Sequence, residues 1–428
     1  MSYTDALSLP SRAAVEELQL AKLQRALTEI YPRNRFYTKK FDEAGIKPAS
    51  IQSPDDISRL PLTEKSELVA DQDNQRFAAN MTYPLSRYIR FHQTSGTTGE
   101  PLRVVDTQES WDWWGRCWKQ VFSASGVGAD DRIFCAFSFG PFIGFWAAVE
   151  GARQLGALLV PGGGRSSLER LKLMQETRCT VLCCTPSYAL RLLDVAAENG
   201  FDLSELNIHT TIHAGEPGAN IPAIKQRIEA GWSARCRDHS GASEVGAYGF
   251  ETNAHPNGLL INETEFIAEV LNAGGRHVKP GEEGELVLTN LGRWGFPVIR
   301  YKTGDIVRYA EPQAATRHLL YLEGGIIGRM DDMVTVRGVN IYPSAIDNLV
   351  RSLDEIDEYR TTVSTSGALD QLTMEIEVRA GADRVAAQTA LTELLTDKLG
   401  LRPKITVVEP ATLPRFEMKG KRFFIEKQ

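Results

Sequence analysis

Between Arg132 and Gly218 the chain alternates short apolar runs with amphipathic ones, and few folds accept that pattern. RIFCAFSF, ALLVPGG, TVLCCTPS and TTIHAGEPG read as strands, almost continuously apolar and punctuated by Gly, Pro or Ser. FWAAVEGARQLG, SLERLKLMQETR and YALRLLDVAAENG separate them and carry apolar residues at helical spacing. Strands apolar on both faces need cover on both faces, and helical crossovers supply it. The expectation is an α/β fold with a doubly covered, mostly parallel sheet. In such open sheets ligands lie beyond the carboxyl ends of the strands, so the loops there are where chemistry is expected.

The rest of the chain has another texture. GELVLTNLGRWGFPVIRYKTGDIVRY, ending at Tyr309, mixes aromatic and β-branched residues with glycines, as an antiparallel, barrel-like segment does. After GRMDD the pattern starts afresh. VTVRGVNIYP predicts a hairpin, SAIDNLVRSL a helix, and YRTTVSTS and QLTMEIEVRA strands. RVAAQTALTELLTDKLG then predicts a long helix and KITVVEP a strand, which together make a compact α+β unit. The 428 residues exceed what one core serves. A large N-terminal domain, 1–328, and a small C-terminal domain, 329–428, are therefore expected, joined near Gly328 to Asp331.

Several functions are disfavoured at this stage. The formal net charge of -7 argues against nucleic acid or an anionic membrane as the main partner. The start, with SLPSRAAVEELQLAKLQRAL, reads as a capped amphipathic helix rather than a leader. FIGFWAAVEGARQLGALLVPGG is interrupted by Glu150 and Arg153 and is too short to span a bilayer. The six cysteines have apolar flanks and no CxxC spacing, so buried free thiols are expected. Cys236, His239 and His255 match no recognised zinc pattern. A cytoplasmic location follows as the expectation.

Residues 94–99, TSGTTG, consist only of Ser, Thr and Gly. Glycines let a backbone approach an anion, and hydroxyls with free N–H groups can ring it. This is not the P-loop of NTPases, since Glu100-Pro101 stands where a Lys-Ser/Thr pair would be. Taken alone, the run is as readily a solvated turn. It is followed in order by GEPG at 215–218, SGASE at 240–244, IRYKTGD at 299–305, GRMDDMVTVRGVNIYPSAI at 328–346 and LPRFEMKGKR at 413–422. At these residues the chain resembles the adenylate-forming superfamily of acyl-CoA synthetases, luciferases and adenylation domains. CTPSYAL, GFPVIRYKTGD, RGVNIYPS and LPRFEMKGKR look most like phenylacetate-CoA ligases, and DISRLPLTEKSEL suits that group too.

The resemblance implies ATP-dependent activation of a carboxylic acid. The acid attacks the α-phosphorus of ATP to form an acyl-adenylate, diphosphate leaves, and the thiol of CoA then displaces AMP. By resemblance Thr94, Ser95, Gly96, Thr97, Thr98 and Gly99 would wrap the β- and γ-phosphates. Gly215, Glu216, Pro217, Ser240, Gly241, Ala242 and Ser243 would line the nucleotide. Asp305 would take the ribose hydroxyls, with Arg329 nearby, and Glu244 would bind Mg²⁺. Lys419, on a mobile small domain, would stand between carboxylate and α-phosphate as the adenylation lysine. Asp331 would be the hinge and Gly338 would line the CoA channel. Phe137, Phe139, Phe142, Trp146, His213 and Ala214, with Gly241, would wall the acyl pocket and suit an aryl or arylacetic acid.

The chain departs from the family pattern twice. Glu100 replaces a common Lys, which leaves Arg103 or a Lys elsewhere to compensate. Ser240 replaces the aromatic that usually stacks on adenine, which leaves Tyr248 or His239 for that task. Two further readings stay open: transfer to the pantetheine of a carrier protein or to an amine, and a catalytically silent binding homologue. The resemblance also admits a homodimer.

Overall fold

The computed structural model describes residues 4–427 except 74–76, 95–99, 138–139, 313–315, 331–333, 337–338, 367–368 and 415–421. Helix α1 (Arg12–Ile30) starts where the Ser11 hydroxyl accepts from the amide of Ala14. With α2 (Arg35–Glu43) it buries Leu23, Leu27, Ile30, Tyr37 and Phe41 against Leu291 and Ile299. Helix α3 (Lys65–Asp73) leads towards a hairpin of β1 (Tyr88–Gln93) and β2 (Arg103–Thr107). In sequence the Ser/Thr/Gly run falls between these two strands, with Thr94 its one described residue. Helix α4 (Gln108–Ala124) follows, capped by Thr107.

The predicted α/β alternation comes next. Its strands are β3 (Arg132–Cys135), β4 (Leu158–Pro161), β5 (Val181–Cys184) and β6 (Thr210–His213), with β7 (Arg235–Ala242) added. Helices α5 (Ile143–Leu155), α6 (Ser167–Glu176), α7 (Pro186–Glu198) and α8 (Pro222–Trp232) connect them. All neighbours in the order β4-β3-β5-β6-β7 pair in parallel. Alternate residues point to opposite faces. Ile133, Cys135, Val181 and Cys183 pack with α4 and α5, while Phe134, Leu182 and Cys184 pack with α6, α7 and α8. Both faces are covered, which is why the runs are apolar throughout. The six cysteines are buried free thiols, as their flanks predict.

The same sheet continues antiparallel through β8 (Gly246–Thr252), β9 (His255–Ile261), β10 (Phe266–Leu271), β11 (Glu283–Asn290), β12 (Tyr301–Ala310) and β13 (Tyr321–Arg329). The full order of its eleven strands is β10-β11-β12-β13-β9-β8-β7-β6-β5-β3-β4. The antiparallel texture that the sequence shows up to Tyr309 therefore begins earlier, at Gly246. A C-terminal α+β domain contains a hairpin of β14 (Val334–Val336) and β15 (Val339–Ile341), then α9 (Pro343–Arg351). Strands β16 (Ile356–Ser366) and β17 (Leu369–Val378), α10 (Arg384–Leu399), β18 (Lys404–Val408) and β19 (Phe423–Lys427) complete it. Its sheet has the order β18-β17-β16-β19 and its own core around Ile346, Ile376 and Leu391. Among the described residues no helix is long and apolar enough to cross a membrane.

Candidate active site

Strand β12 organises the site. Tyr301, Thr303 and Asp305 alternate onto its buried side, with Tyr301 and Asp305 roughly 13 Å apart at the usual rise per residue. At one end the Tyr301 hydroxyl lies 3.4 Å from Oε1 of Glu244. Burial, and then the Glu244 carboxylate, holds the Tyr301 phenol well above its usual range, so it stays protonated and donates. The same Glu244 oxygen lies 3.1 Å from Nζ of Lys65, at the start of α3. At the other end Oδ2 of Asp305 accepts from Tyr248 at 3.3 Å and Oδ1 from Arg329 at 3.1 Å. Arg329 is the cross-strand partner of Asp305 in the register of β12 and β13. Gly304 before it has φ 75°, a backbone conformation that favours glycine, and its carbonyl accepts from the amide of Met330.

The segment bearing Glu244 is held from behind. Arg293, fully buried, donates from Nε and one terminal nitrogen to the two carboxylate oxygens of Asp106 on β2, each at 2.7 Å. A third nitrogen of Arg293 reaches the carbonyls of Ser243 and Glu244, at 2.7 and 3.0 Å. Strand β2 and the SGASE turn are thus tied through one guanidinium.

Of the residues expected from the sequence, Glu244, Asp305 and Arg329 are brought to one face. Thr94 closes the base of its loop, since its hydroxyl accepts from the amide of Leu102 and its own amide donates to the Leu102 carbonyl. Glu216 accepts from the amide of Ser187 and so links the GEPG loop to the start of α7. Gly215 and Pro217 are exposed beside it, Ala214 is half-buried, and Ser240, Gly241, Ala242 and Ser243 line the end of β7 and the turn after it. Ser95 to Gly99, Phe139, Asp331, Gly338 and Lys419 lie outside the described residues.

The acyl-pocket candidates do not form one wall. Phe137 is wedged between the two large cores. Phe142 and Trp146 are exposed together at the start of α5, at 44% and 38%. His213 is fully buried, with Nδ1 near the Cys184 carbonyl and Nε2 near the Thr211 hydroxyl. Burial lowers its pKa to about 4, so it is a neutral core histidine whose nitrogens are already occupied. Neither candidate for the missing adenine stack presents an open ring. Tyr248 is buried on Asp305, and His239 is buried edge-on against Trp118.

Sequence reading misses five residues: Lys65, Tyr301, the pair Asp106 and Arg293, and Asp238. Lys65 stands within LPLTEKSEL, which carries the resemblance, but nothing local pairs it with a glutamate so far along the chain. Asp238 pairs in register with His213, beside the GEPG loop, and burial followed by Glu251 pushes its pKa up to about 7.

Comparison with known proteins agrees with this geometry. The AMP-binding enzyme family pattern matches residues 51–292, and the AMP-binding enzyme C-terminal domain pattern matches 338–427. Phenylacetate-coenzyme A ligase of Escherichia coli (strain K12) is 30% identical over 426 residues, covering 96% of this chain and 95% of that protein. The Aromatoleum evansii enzyme of the same name is 31% identical, covering 96% and 94%. Among solved structures, 2-hydroxyisobutyryl-CoA ligase in its postadenylation state superposes with a TM-score of 0.89 at 27% identity, over 97% of this chain and 89% of that one. The thioesterification state of that ligase gives 0.72 at 28% identity, over 97% and 90%. The chain belongs to the AMP-binding enzyme family, on its adenylate-forming CoA ligase branch.

Proposed function

We propose that this protein activates a carboxylic acid with ATP and passes the acyl group to the thiol of CoA, releasing AMP and diphosphate. The run of groups along β12 carries the reading, with Glu244 and Lys65 at one end and Asp305, Tyr248 and Arg329 at the other. A nucleotide laid along that strand has its ribose hydroxyls donating to Asp305 and its phosphates towards Glu244. Both carboxylates are already fixed by tyrosine hydroxyls, so little reorganisation is needed on binding. Glu244 suits Mg²⁺, being a hard oxygen donor, buried and charge-balanced by Lys65. Bound there, the ion would screen the phosphates. Lys65 also supplies the cation that Glu100 does not, on a flexible stem at the phosphate end. Asp238, beside the GEPG loop, offers an acceptor to the amino group of adenine where Ser240 offers no ring.

The small domain provides the remaining cation. Lys419 precedes β19, and β19 is anchored by its parallel pairing with β16 and by the bidentate Arg422–Glu358 contact at 2.6 and 2.9 Å. In this reading Lys419 holds the carboxylate against the α-phosphorus, the small domain turns at Asp331, and Gly338 then admits pantetheine. The acid is an aryl or arylacetic acid, a reading supported by the names of the phenylacetate-CoA ligase relatives and by the aromatic edge at Phe142 and Trp146.

Acid-dependent exchange of labelled diphosphate into ATP, followed by a thioester assay with CoA, tests this. Exchange without a CoA thioester would transfer the reading to a carrier-protein or amine acceptor. Absence of exchange with every acid would overturn it.

A further inference from the structure

Which acid the site takes depends on what its walls offer, and one group on β7 has an unusual offer. His239 is only 4% exposed, and its Nδ1 lies 2.7 Å from the carbonyl oxygen of Gly249. A carbonyl only accepts, so Nδ1 carries the proton. Burial lowers the pKa of the imidazole to about 4, and it is neutral at ordinary pH. Nε2 is then a pure acceptor. Among the described residues no group hydrogen-bonds it.

The surroundings fix where that nitrogen faces. The ring is held edge-on against Trp118, with centroids 4.5 Å apart. Gly241, two residues along, is exposed, and a Cβ placed there would stand 3.5 Å from Nε2. With glycine at 241, no side chain from this exposed position stands against the nitrogen, and the nearer atoms there are the Gly246 carbonyl and Ala247 Cα. Three residues further along, the chain reaches Glu244, at the phosphate end of the site. The neighbourhood thus combines apolar packing with one uncommitted acceptor.

We infer that Nε2 of His239 reads a hydroxyl group on the acyl substrate, so that the preferred acid is a hydroxylated one. This rests on the ligase reading above and narrows its substrate class. An acid with a hydroxyl in reach donates to Nε2, whereas the parent acid leaves a desolvated acceptor unpaired. Sites built around such a pair reject the analogue that lacks the donor. Two of the solved structures that superpose on this chain, with TM-scores of 0.89 and 0.88, are of a ligase named for a hydroxy acid, 2-hydroxyisobutyrate. A histidine that merely fills the core makes no such distinction.

The test pairs acids that differ by one hydroxyl. Wild-type protein is assayed for diphosphate exchange and CoA thioester with phenylacetic acid against its 2-, 3- and 4-hydroxy derivatives and mandelic acid. Isobutyric acid is compared with 2-hydroxyisobutyric acid in the same way. At least one hydroxylated acid should exceed its parent about tenfold or more in kcat/KM. His239→Leu should bring that ratio to one or below, while His239→Gln, whose amide oxygen still accepts, should keep part of it. Parents equal to or better than every hydroxylated partner on wild-type protein would overturn the inference and leave the ligase reading standing. Activation of no acid would overturn both. Should either variant fail to fold by thermal unfolding, the wild-type ratios decide alone.

Discussion

Glu244 and Lys65 form a pair that Mg²⁺ would loosen in the proposed scheme, because a carboxylate cannot serve an ammonium and a divalent cation at full strength together. Glu244→Gln keeps the shape and loses the charge. It should lower diphosphate exchange by about a hundredfold, the usual scale for one transition-state contact, with the thermal unfolding curve little changed. Asp238 makes a different prediction at this scale. Unfolded, it titrates near 3.8; folded, burial and the neighbouring Glu251 hold it at about 7, with Lys225 opposing them. Between those values the folded chain holds the extra proton, so the contribution of Asp238 to stability falls as pH rises and is lowest above pH 7. Asp238→Asn should remove that slope. Its stability relative to wild type should climb between pH 4 and pH 7 by on the order of 1 kcal/mol or more, read from urea unfolding at each pH. Asp305 and Glu244 were legible in the sequence because each sits in a short motif. Lys65 and Asp238 were not, since their meaning comes from residues that only the fold brings near.

At the scale of elements, the site depends on tethers between strands distant in the chain. Arg293 joins β2 to the turn carrying Glu244, and both charges of its pair with Asp106 are fully buried. Arg293→Ala would leave Asp106 buried and unpaired, with two carbonyls uncovered. The loss should be about 3–5 kcal/mol in unfolding free energy, with diphosphate exchange impaired even where the protein remains folded. Arg293→Lys should recover only part, since an ammonium cannot match the two-pronged contact. The parallel half of the sheet was readable because both of its faces are covered, and β5 accordingly reads VLCC. Strand β8, GAYGFET, is buried at every position yet shows no alternation. Its state is set by pairing with β7 and β9 and by close packing around Gly246, where a Cβ would strike Trp113 and Phe266. Such causes are tertiary and leave no local signal. At the other extreme, β19 follows a basic segment that reads like a frayed tail, and Phe423 and Phe424 are the residues that mark it as docked.

At the scale of the whole molecule, the two domains meet through a seam that is poorly matched in charge. A cleft of about 680 Å³ lies between α7 and α8 on one side and the ends of β16 and β17 on the other, lined by Asp194, Arg227, Asp357 and Arg379. Burial, and then the facing carboxylate of Asp357, raises the pKa of Asp194, while burial, Arg379 and Arg351 lower that of Arg227. Like charges thus face each other across the seam, with Asp354 partly offsetting them at Arg227, which suits the contact that forms and parts in the proposed scheme. Of the two states of 2-hydroxyisobutyryl-CoA ligase compared above, this chain superposes better on the postadenylation one. Lys419 belongs to that arrangement alone in the proposed scheme. The most direct measurement therefore separates the half-reactions in Lys419→Ala: acid-dependent diphosphate exchange into ATP, and thioester formation from supplied acyl-adenylate and CoA. Exchange should fall by about a hundredfold or more while thioester formation stays within a few-fold of wild type. Equal loss of both in a folded protein, or unimpaired exchange, would contradict the role of a small domain that carries one cation into the first step and withdraws it for the second.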